Sequence, residues 1–374
     1  MSLTDKSLAP ADDQQIVKAN YPYDCWWVAT TSGNVGSEPL ALWMLEKPVV
    51  LYRKRDGSVV ALDDRCPHRW APLSSGKVVD DNIQCGYHGF TFDPSGSCVR
   101  IPSQPRIPSN CRVHAYPVVE RPPFVWVWMG DPANATDGPP SLEAEWPADP
   151  GYSSWSGETL VDGNYMLLKE NVLDLTHFGY VHATSFKILD WVAPPKVSTT
   201  ETTVTYRQEF IDCNLPPMFA RVTGISMEKK VNRYNYGTYV SPALNVAALD
   251  IEDPNPAPGA RSQFRFRVIH VTTPESPTRF RYMWFGGFDI PEMDASDLEH
   301  CKALTETGFA EDKAIIQAVH NNIMRDPRHL DYPEIIAVTD QAAIQARRKL
   351  AAQLAAEQVP ADSKPPAAVI SSVW

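Results

Sequence analysis

The chain has 374 residues, enough for two domains with proper cores. Its composition, 43% hydrophobic and 21% charged, is that of a soluble globular protein. A net charge of −11 argues against nucleic acid as a partner.

Residues 1–20 read as a polar lead-in. Met1 to Gln15 holds three aspartates and no apolar run, so neither a secretory signal nor a membrane span is expected, and a cytoplasmic location follows. From Tyr21 to about Met129 the text is β. Val49 to Tyr52 and Val59 to Leu62 are short apolar runs joined through an Asp56-Gly57 hairpin signal. Phe124 to Trp128 adds a strand with Trp126 and Trp128 on one core-facing side.

Within this region stand Cys66-Pro67-His68-Arg69-Trp70 and Cys85-Gly86-Tyr87-His88-Gly89. Each half offers one thiolate and one imidazole at a turn. Such a set could hold a tetrahedral zinc or a Rieske [2Fe-2S] cluster, in which two imidazoles replace two thiolates on one iron. Structural zinc sites usually place like ligands together, and the mixed loops favour the iron–sulfur reading. The seven cysteines are odd in number and scattered, which fits a reducing compartment. Cys25, Cys98, Cys111, Cys213 and Cys301 read as small core hydrophobes.

Gly130 to Gly151, rich in Pro, Ala, Asp and Gly, reads as a linker at a domain boundary. Asn171 to His182 then places Asn171, Asp174, His177 and His182 among apolar residues, as in a buried helix. At 100° per residue His177 and His182 lie about 140° apart. To reach one ion the helix must unwind between them, and Gly179 is the residue that would allow it. Two imidazoles and a carboxylate from elsewhere make the facial triad of a non-haem Fe(II) site.

Val204 to Phe210, Phe264 to Val271 and Phe280 to Phe285 alternate as strands of an antiparallel sheet with one buried face, interrupted by the Pro-rich loop Asp253 to Gly259. At Phe309 a helical pattern opens, with Asp312, Ile316 and Val319 on one apolar stripe. Glu311 also has apolar neighbours at helical spacing, so periodicity does not choose between the two carboxylates. Either would commonly be a first-turn acid that offsets the helix dipole. A last helix runs from about Asp340, its expected N-cap, to Gln358. No Gly-rich dinucleotide fingerprint occurs, so any electrons must come from another protein.

The two Cys-His loops, followed by Asn171, Asp174, His177 and His182, resemble the catalytic α subunit of Rieske non-haem iron oxygenases. Asp174-Leu175-Thr176-His177 and Tyr180-Val181-His182 are most similar to the vanillate and dicamba O-demethylase-like monooxygenases. The likeness runs from about Trp26 to about Asp312; Trp70 stands where many members have Gly or another residue. It implies an α+β fold: an all-β Rieske domain over 21–137, then a catalytic domain over 138–358 with an antiparallel sheet covered by helices, of helix-grip type. A tail, 359–374, follows.

The resemblance further implies a [2Fe-2S] cluster on Cys66, His68, Cys85 and His88, and a mononuclear Fe(II) on His177, His182 and Asp312. Asp174 would bridge His177 to the His88 of a neighbouring chain in a homotrimer. Asn171 would be a hydrogen-bonding residue of the active site, with Asn245 and His270 in the substrate pocket. The implied activity uses O2 and electrons from a ferredoxin or flavin reductase for O- or N-dealkylation of an aromatic compound. Ring hydroxylation or cis-dihydroxylation is the alternative that the same metals support. From other classes come a zinc-stabilised binding module and an electron carrier, and a carrier would have no use for His177, His182 and Asp312. Residues 40–125 hold 11 Lys and Arg against 8 Asp and Glu. Arg53, Lys54 and Arg55, with Arg69, could therefore steer an acidic ferredoxin.

Overall fold

The computed structural model describes residues 21–135, 138–140, 144–188, 194–326, 328 and 334–357. The expected lead-in, the tail and parts of the linker lie outside them. The first half is built from strands β1 (Trp26–Thr31), β2 (Leu40–Met44), β3 (Lys47–Arg53), β4 (Val59–Asp63), β5 (Lys77–Val79), β6 (Asn82–Gln84), β7 (Thr91–Phe92), β8 (Cys98–Arg100), β9 (Ala115–Tyr116), β10 (Val118–Arg121) and β11 (Phe124–Trp128). They form three small sheets, ordered β1-β11-β10, β2-β3-β4-β9 and β5-β6-β7-β8.

The β3–β4 hairpin turns where Asp-Gly predicts it: Gly57 takes φ +88°, a conformation costly for a residue with a Cβ. Its basic residues have acidic partners close by. Arg53 is held by both oxygens of Glu120 at 2.8 and 2.9 Å, Lys54 pairs with Asp56 at 3.0 Å, and Arg55 with Asp80 at 2.5 Å.

The second half adds β12 (Ser153–Asp162), helix α1 (Tyr165–Asn171), β13 (Lys196–Thr199), β14 (Val204–Cys213), helix α2 (Pro217–Thr223), β15 (Val231–Ser241), β16 (Leu244–Glu252), β17 (Gln263–Ser276), β18 (Arg279–Phe288) and helices α3 (Ala295–Arg325) and α4 (Gln341–Ala356). The strands make one seven-stranded antiparallel sheet, ordered β12-β18-β17-β16-β15-β14-β13. All three expected strand segments fall within it, and the Pro-rich loop joins β16 to β17.

The two halves share a core. Trp27, Val28 and Trp126 cluster with Ile269, Val271 and Phe280, and Trp126 and Trp128 are buried as their spacing predicts. The Thr273 hydroxyl donates to the Val28 carbonyl at 2.6 Å, tying β17 to β1.

Two helix expectations change. α3 begins at Ala295, capped by Asp294, whose carboxylate accepts the Ser296 N–H at 2.8 Å. Asp312 therefore lies well inside a 31-residue helix rather than in a first turn, and is 4% exposed. Dipole compensation cannot explain it, since that effect fades beyond the terminal turn. Val319 leaves the expected stripe and is exposed. Asp340 precedes α4, but its carboxylate accepts the Ala337 N–H at 2.6 Å and closes the preceding turn instead of capping the helix. Arg347 grips Glu170 and so fastens α4 to α1. Among the described residues, no helix is long and apolar enough to cross a membrane.

Candidate metal centres and substrate cavity

The two Cys-His loops are copies of one turn. The Cys66 N–H donates to the Ala71 carbonyl and the Trp70 N–H to the Cys66 carbonyl, both at 2.9 Å. In the second loop Cys85 bonds Phe90 at 2.8 Å and Gly89 bonds Cys85 at 3.1 Å in the same way. The fourth position after each cysteine takes positive φ, +61° at Trp70 and +71° at Gly89. Both cysteines are buried, whereas both histidines are exposed at the tips, ring centroids 4.6 Å apart.

Burial pushes the Cys66 thiol up to about 11, although backbone N–H groups of His68 and Arg69 pull it down and Cys85 beside it adds to the rise. Two adjacent buried sulfurs with backbone donors aimed at one of them suit thiolates held by a metal cluster, where hydrogen bonds to sulfur tune the potential. Among the described residues, His177, His182 and Asp312 are the group whose ligand atoms converge within 4.8 Å of one another. The Cys-His set does not converge on one point in that way. It fits two metals, thiolates on one and imidazoles on the other, better than a single zinc.

The second centre begins where α1 ends. α1 stops at Asn171, and Asp174 caps a separate 3-10 turn, Leu175–Gly179, by accepting the Thr176 N–H at 2.9 Å and its hydroxyl at 2.7 Å. The α-helix thus ends before Asp174, and the 3-10 turn that follows runs out at Gly179, between the two histidines, where the sequence places the unwinding. Asn and Asp compete for local backbone donors, and here Asp174 does so, which stops propagation of the helix.

His177 and His182 then aim Nε2 at one point. Asp312 Oδ1 lies 3.1 Å from the Nε2 of His182 and 3.5 Å from that of His177. The His182 nitrogen is fully buried and has no hydrogen-bond partner among the described residues. An orphaned buried nitrogen is costly, and a metal would satisfy it. The opposite ring nitrogens are occupied: His177 Nδ1 lies 2.6 Å from the Asp174 carbonyl, and His182 Nδ1 lies 2.8 Å from Glu311 Oε2. Ser185 donates to the same Glu311 oxygen at 2.6 Å. Of the two neighbouring carboxylates, Asp312 lies on the Nε2 side of both histidines and Glu311 on the Nδ1 side of His182. Burial pushes His177 down. Burial acts on His182 too, but the Asp312 and Glu311 carboxylates outweigh it and hold its pKa above the usual value.

Asn171 donates from Nδ2 to Asp312 Oδ1 at 3.1 Å, so it orients the carboxylate rather than filling a ligand position. Asp174 touches His177 within this chain through its carbonyl, its carboxylate being engaged at Thr176. Phe186 packs against His182 at 5.0 Å between centroids. Gly308 makes room for it: a Cβ there would fall 2.3 Å from the Phe186 ring.

A cavity, about 840 Å³ of empty space with open solvent included, has Asn171, His177 and Asp312 in its lining. Its walls are mainly Phe and aliphatic side chains from the 3-10 turn, α2, the sheet and α3. His270 lines it and is bonded through Nδ1 to the Tyr282 hydroxyl at 2.7 Å. Asn245 does not line it. Although opposite His270 in register, its Oδ1 accepts from the buried Lys169 amine at 2.9 Å. The cavity instead takes its polar wall from Tyr206 and Asn235, which sequence reading missed. On β15 the residues facing inward are Val231, Arg233, Asn235, Gly237 and Tyr239. That buried row is unusually polar, so apolar-in alternation could not find it.

Cys98 and Cys111 also depart from the simple core reading. They are half-buried and adjacent across an antiparallel contact, the Cys98 N–H donating to the Cys111 carbonyl at 3.1 Å.

Residues 25–117 match the Rieske [2Fe-2S] domain, and residues 161–356 match the vanillate O-demethylase oxygenase C-terminal domain. The chain is 34% identical over 350 residues to a putative toluene-4-sulfonate monooxygenase system iron-sulfur subunit of Comamonas testosteroni, covering 89% of this chain and 96% of that one. It is 32% identical over 336 residues to the oxygenase component of dicamba O-demethylase of Stenotrophomonas maltophilia, covering 87% and 96%. A chloroacetanilide N-alkylformylase oxygenase component of Rhizorhabdus wittichii is 29% identical over 342 residues, covering 90% of this chain and 97% of that one. Among solved structures, dicamba monooxygenase bound to 3,6-dichlorosalicylic acid superposes with a TM-score of 0.82 at 27% identity, covering 91% of this chain and all of that one.

Proposed function

Because this chain belongs to the Rieske non-haem iron oxygenases of the vanillate O-demethylase type, we propose that it is the terminal oxygenase of a multicomponent system that removes an O- or N-alkyl group from an aromatic compound. The observation that carries this is the convergence of His177, His182 and Asp312 beside a cavity with largely apolar walls, which His177 and Asp312 line. When bound, iron at that point would activate dioxygen with electrons relayed from the cluster.

The chain's own residues do the rest. Phe178, Phe186, Phe266 and Phe309 exclude water and hold the ring. The Asp174 carbonyl and the Glu311 carboxylate fix which nitrogen of each histidine faces the metal. Asn171 holds Asp312 in place. Oxygen insertion into a C–H bond next to oxygen or nitrogen gives a hemiacetal or hemiaminal, which expels an aldehyde.

In our reading electrons come from a ferredoxin or flavin reductase, and the chain works as a cytoplasmic homotrimer. Exposed His68 and His88 support contact with another protein, as do Tyr180, which is 83% exposed, and the half-buried Asp174 six residues before it. A neighbour's His88 reaching Asp174 would join the two centres.

The experiment is iron and acid-labile sulfide analysis with visible and EPR spectra, followed by formaldehyde release from methoxyarenes with dithionite or a reductase as donor. About three irons and two sulfides per chain, with aldehyde matching oxygen consumed, is the expected result. A colourless protein would sink the proposal.

A further inference from the structure

We propose that Asn235, with Tyr206 beside it, is the substrate-recognition site of the cavity, and that it selects an uncharged group offering both a hydrogen-bond donor and an acceptor, such as a carboxamide, on the aromatic substrate. The inference rests on the cavity being the substrate site of the dealkylase reading. It names the chemistry that the site accepts.

Asn235 is 1% exposed, lines the cavity, and has a partner for neither Oδ1 nor Nδ2 among the described residues. A buried primary amide with both ends unmet is rare, because each unmet group forfeits its hydration. The Tyr206 hydroxyl, on the same wall, is also buried and unmet. The two are brought together by register. Gln208 pairs with Asn235 and Tyr206 with Gly237, one step along the same face. Gly237 is needed there: a Cβ would fall 2.0 Å from the Tyr206 ring, which lies across it. The wall is therefore built to hold the phenol next to the amide.

Charge decides the class of ligand. No Lys or Arg lines the cavity among the described residues. Arg233, two positions before Asn235 on the same strand face, has its guanidinium 4.6 Å from the Phe210 ring and is not part of the lining. A carboxylate or sulfonate lodged at Asn235 would be stripped of water with no Lys or Arg of the lining to meet it. It would also set acceptors against Asn235 Oδ1. A carboxamide meets Oδ1 with its N–H and Nδ2 with its carbonyl.

The test is calorimetric titration of the iron-loaded protein with 2-, 3- and 4-methoxybenzamide and with the three matching methoxybenzoates. At least one amide is expected to bind tenfold or more tightly than its carboxylate twin. N235L should erase that preference by weakening the amide at least tenfold while changing the benzoate less than threefold. Benzoates binding as well as amides, an unchanged ratio in N235L, or no binding of any of the six would overturn the proposal. The wild-type ratio stands even if N235L fails to fold. Formaldehyde release is read separately. Release from benzoates bound as tightly as amides would overturn the subsite and leave the dealkylase reading intact. A tightly bound amide with no probe demethylated would uphold the subsite and count against dealkylation.

Discussion

Glu311 and His182 meet at 2.8 Å, carboxylate oxygen to Nδ1, and Ser185 steadies the same oxygen from the other side at 2.6 Å. The pair sits behind the ligand point, with Nε2 of His182 facing Asp312. A carboxylate in that place fixes the tautomer and raises the basicity of the imidazole. Removing such a partner typically costs 10- to 100-fold in metal affinity. E311Q should therefore bind the mononuclear iron at least tenfold more weakly while keeping the cluster. S185A should show a smaller loss. Chelator competition followed by the EPR signal of each centre measures both, and an E311Q affinity equal to wild type would remove Glu311 from the account.

Asp312 stands in the other relation to the same ring, on the ligand side. D312N should lose the separate iron and retain the cluster, so iron falls from about three to about two per chain with sulfide constant at about two. C66S should lose the cluster and the visible absorbance with it. Parallel iron, sulfide and spectral analysis of the two variants separates the centres; loss of both in D312N would show that the sites do not load independently.

Much of this was legible in the chain before any coordinates. The convergence of His177 and His182 was foreshadowed by residue type and spacing, and the β3–β4 hairpin by its Asp-Gly turn. The break between His177 and His182 was legible, since the 3-10 turn ends at Gly179. What was not legible is the earlier break, where α1 stops at Asn171 and Asp174 captures the Thr176 N–H and hydroxyl to cap a separate turn. The role of Glu311 was illegible because periodicity places it and Asp312 on overlapping faces, and only the three-dimensional position of His182 assigns them. Asn235 was hidden by an inward face on β15 that carries Arg, Asn and Gly in place of the apolar residues that strand patterns look for.

His270 supplies a pH prediction. Full burial lowers its pKa to about 3, against about 6.5 in an unfolded chain, despite the opposing pull of the Asp312 carboxylate. The folded protein thus keeps a neutral ring while the unfolded chain takes up a proton below about pH 6.5. Stability from this residue is fully present above that pH and is lost as pH falls toward 3, with a slope approaching about 1.4 kcal/mol per pH unit. H270N can still bond Tyr282 and has nothing to titrate. Between pH 7 and pH 5, wild type should lose up to roughly 2 kcal/mol more than H270N. Urea unfolding at the two pH values checks this, and parallel losses would mean that the ring is protonated inside the fold.

Trp70 and Gly89 occupy the same place in the two cluster loops, both at positive φ. The left-handed backbone costs an L-residue roughly 1–2 kcal/mol, and glycine nothing comparable. Trp70 recovers part of this by lying under the Arg65 guanidinium at 4.4 Å, a contact of about 0.5–1 kcal/mol at an exposed site. W70G should therefore change stability by less than about 1 kcal/mol, because backbone relief and the lost contact oppose one another. G89A has no such offset: its φ is +71°, and the new Cβ would stand 2.9 Å from Pro102 Cγ. It should lower stability by about 1–2 kcal/mol and speed cluster loss. Bleaching of visible absorbance during a thermal ramp reads out both variants. Equal bleaching of W70G and G89A would mean that backbone handedness at these twin positions does not govern how firmly the loops hold the cluster.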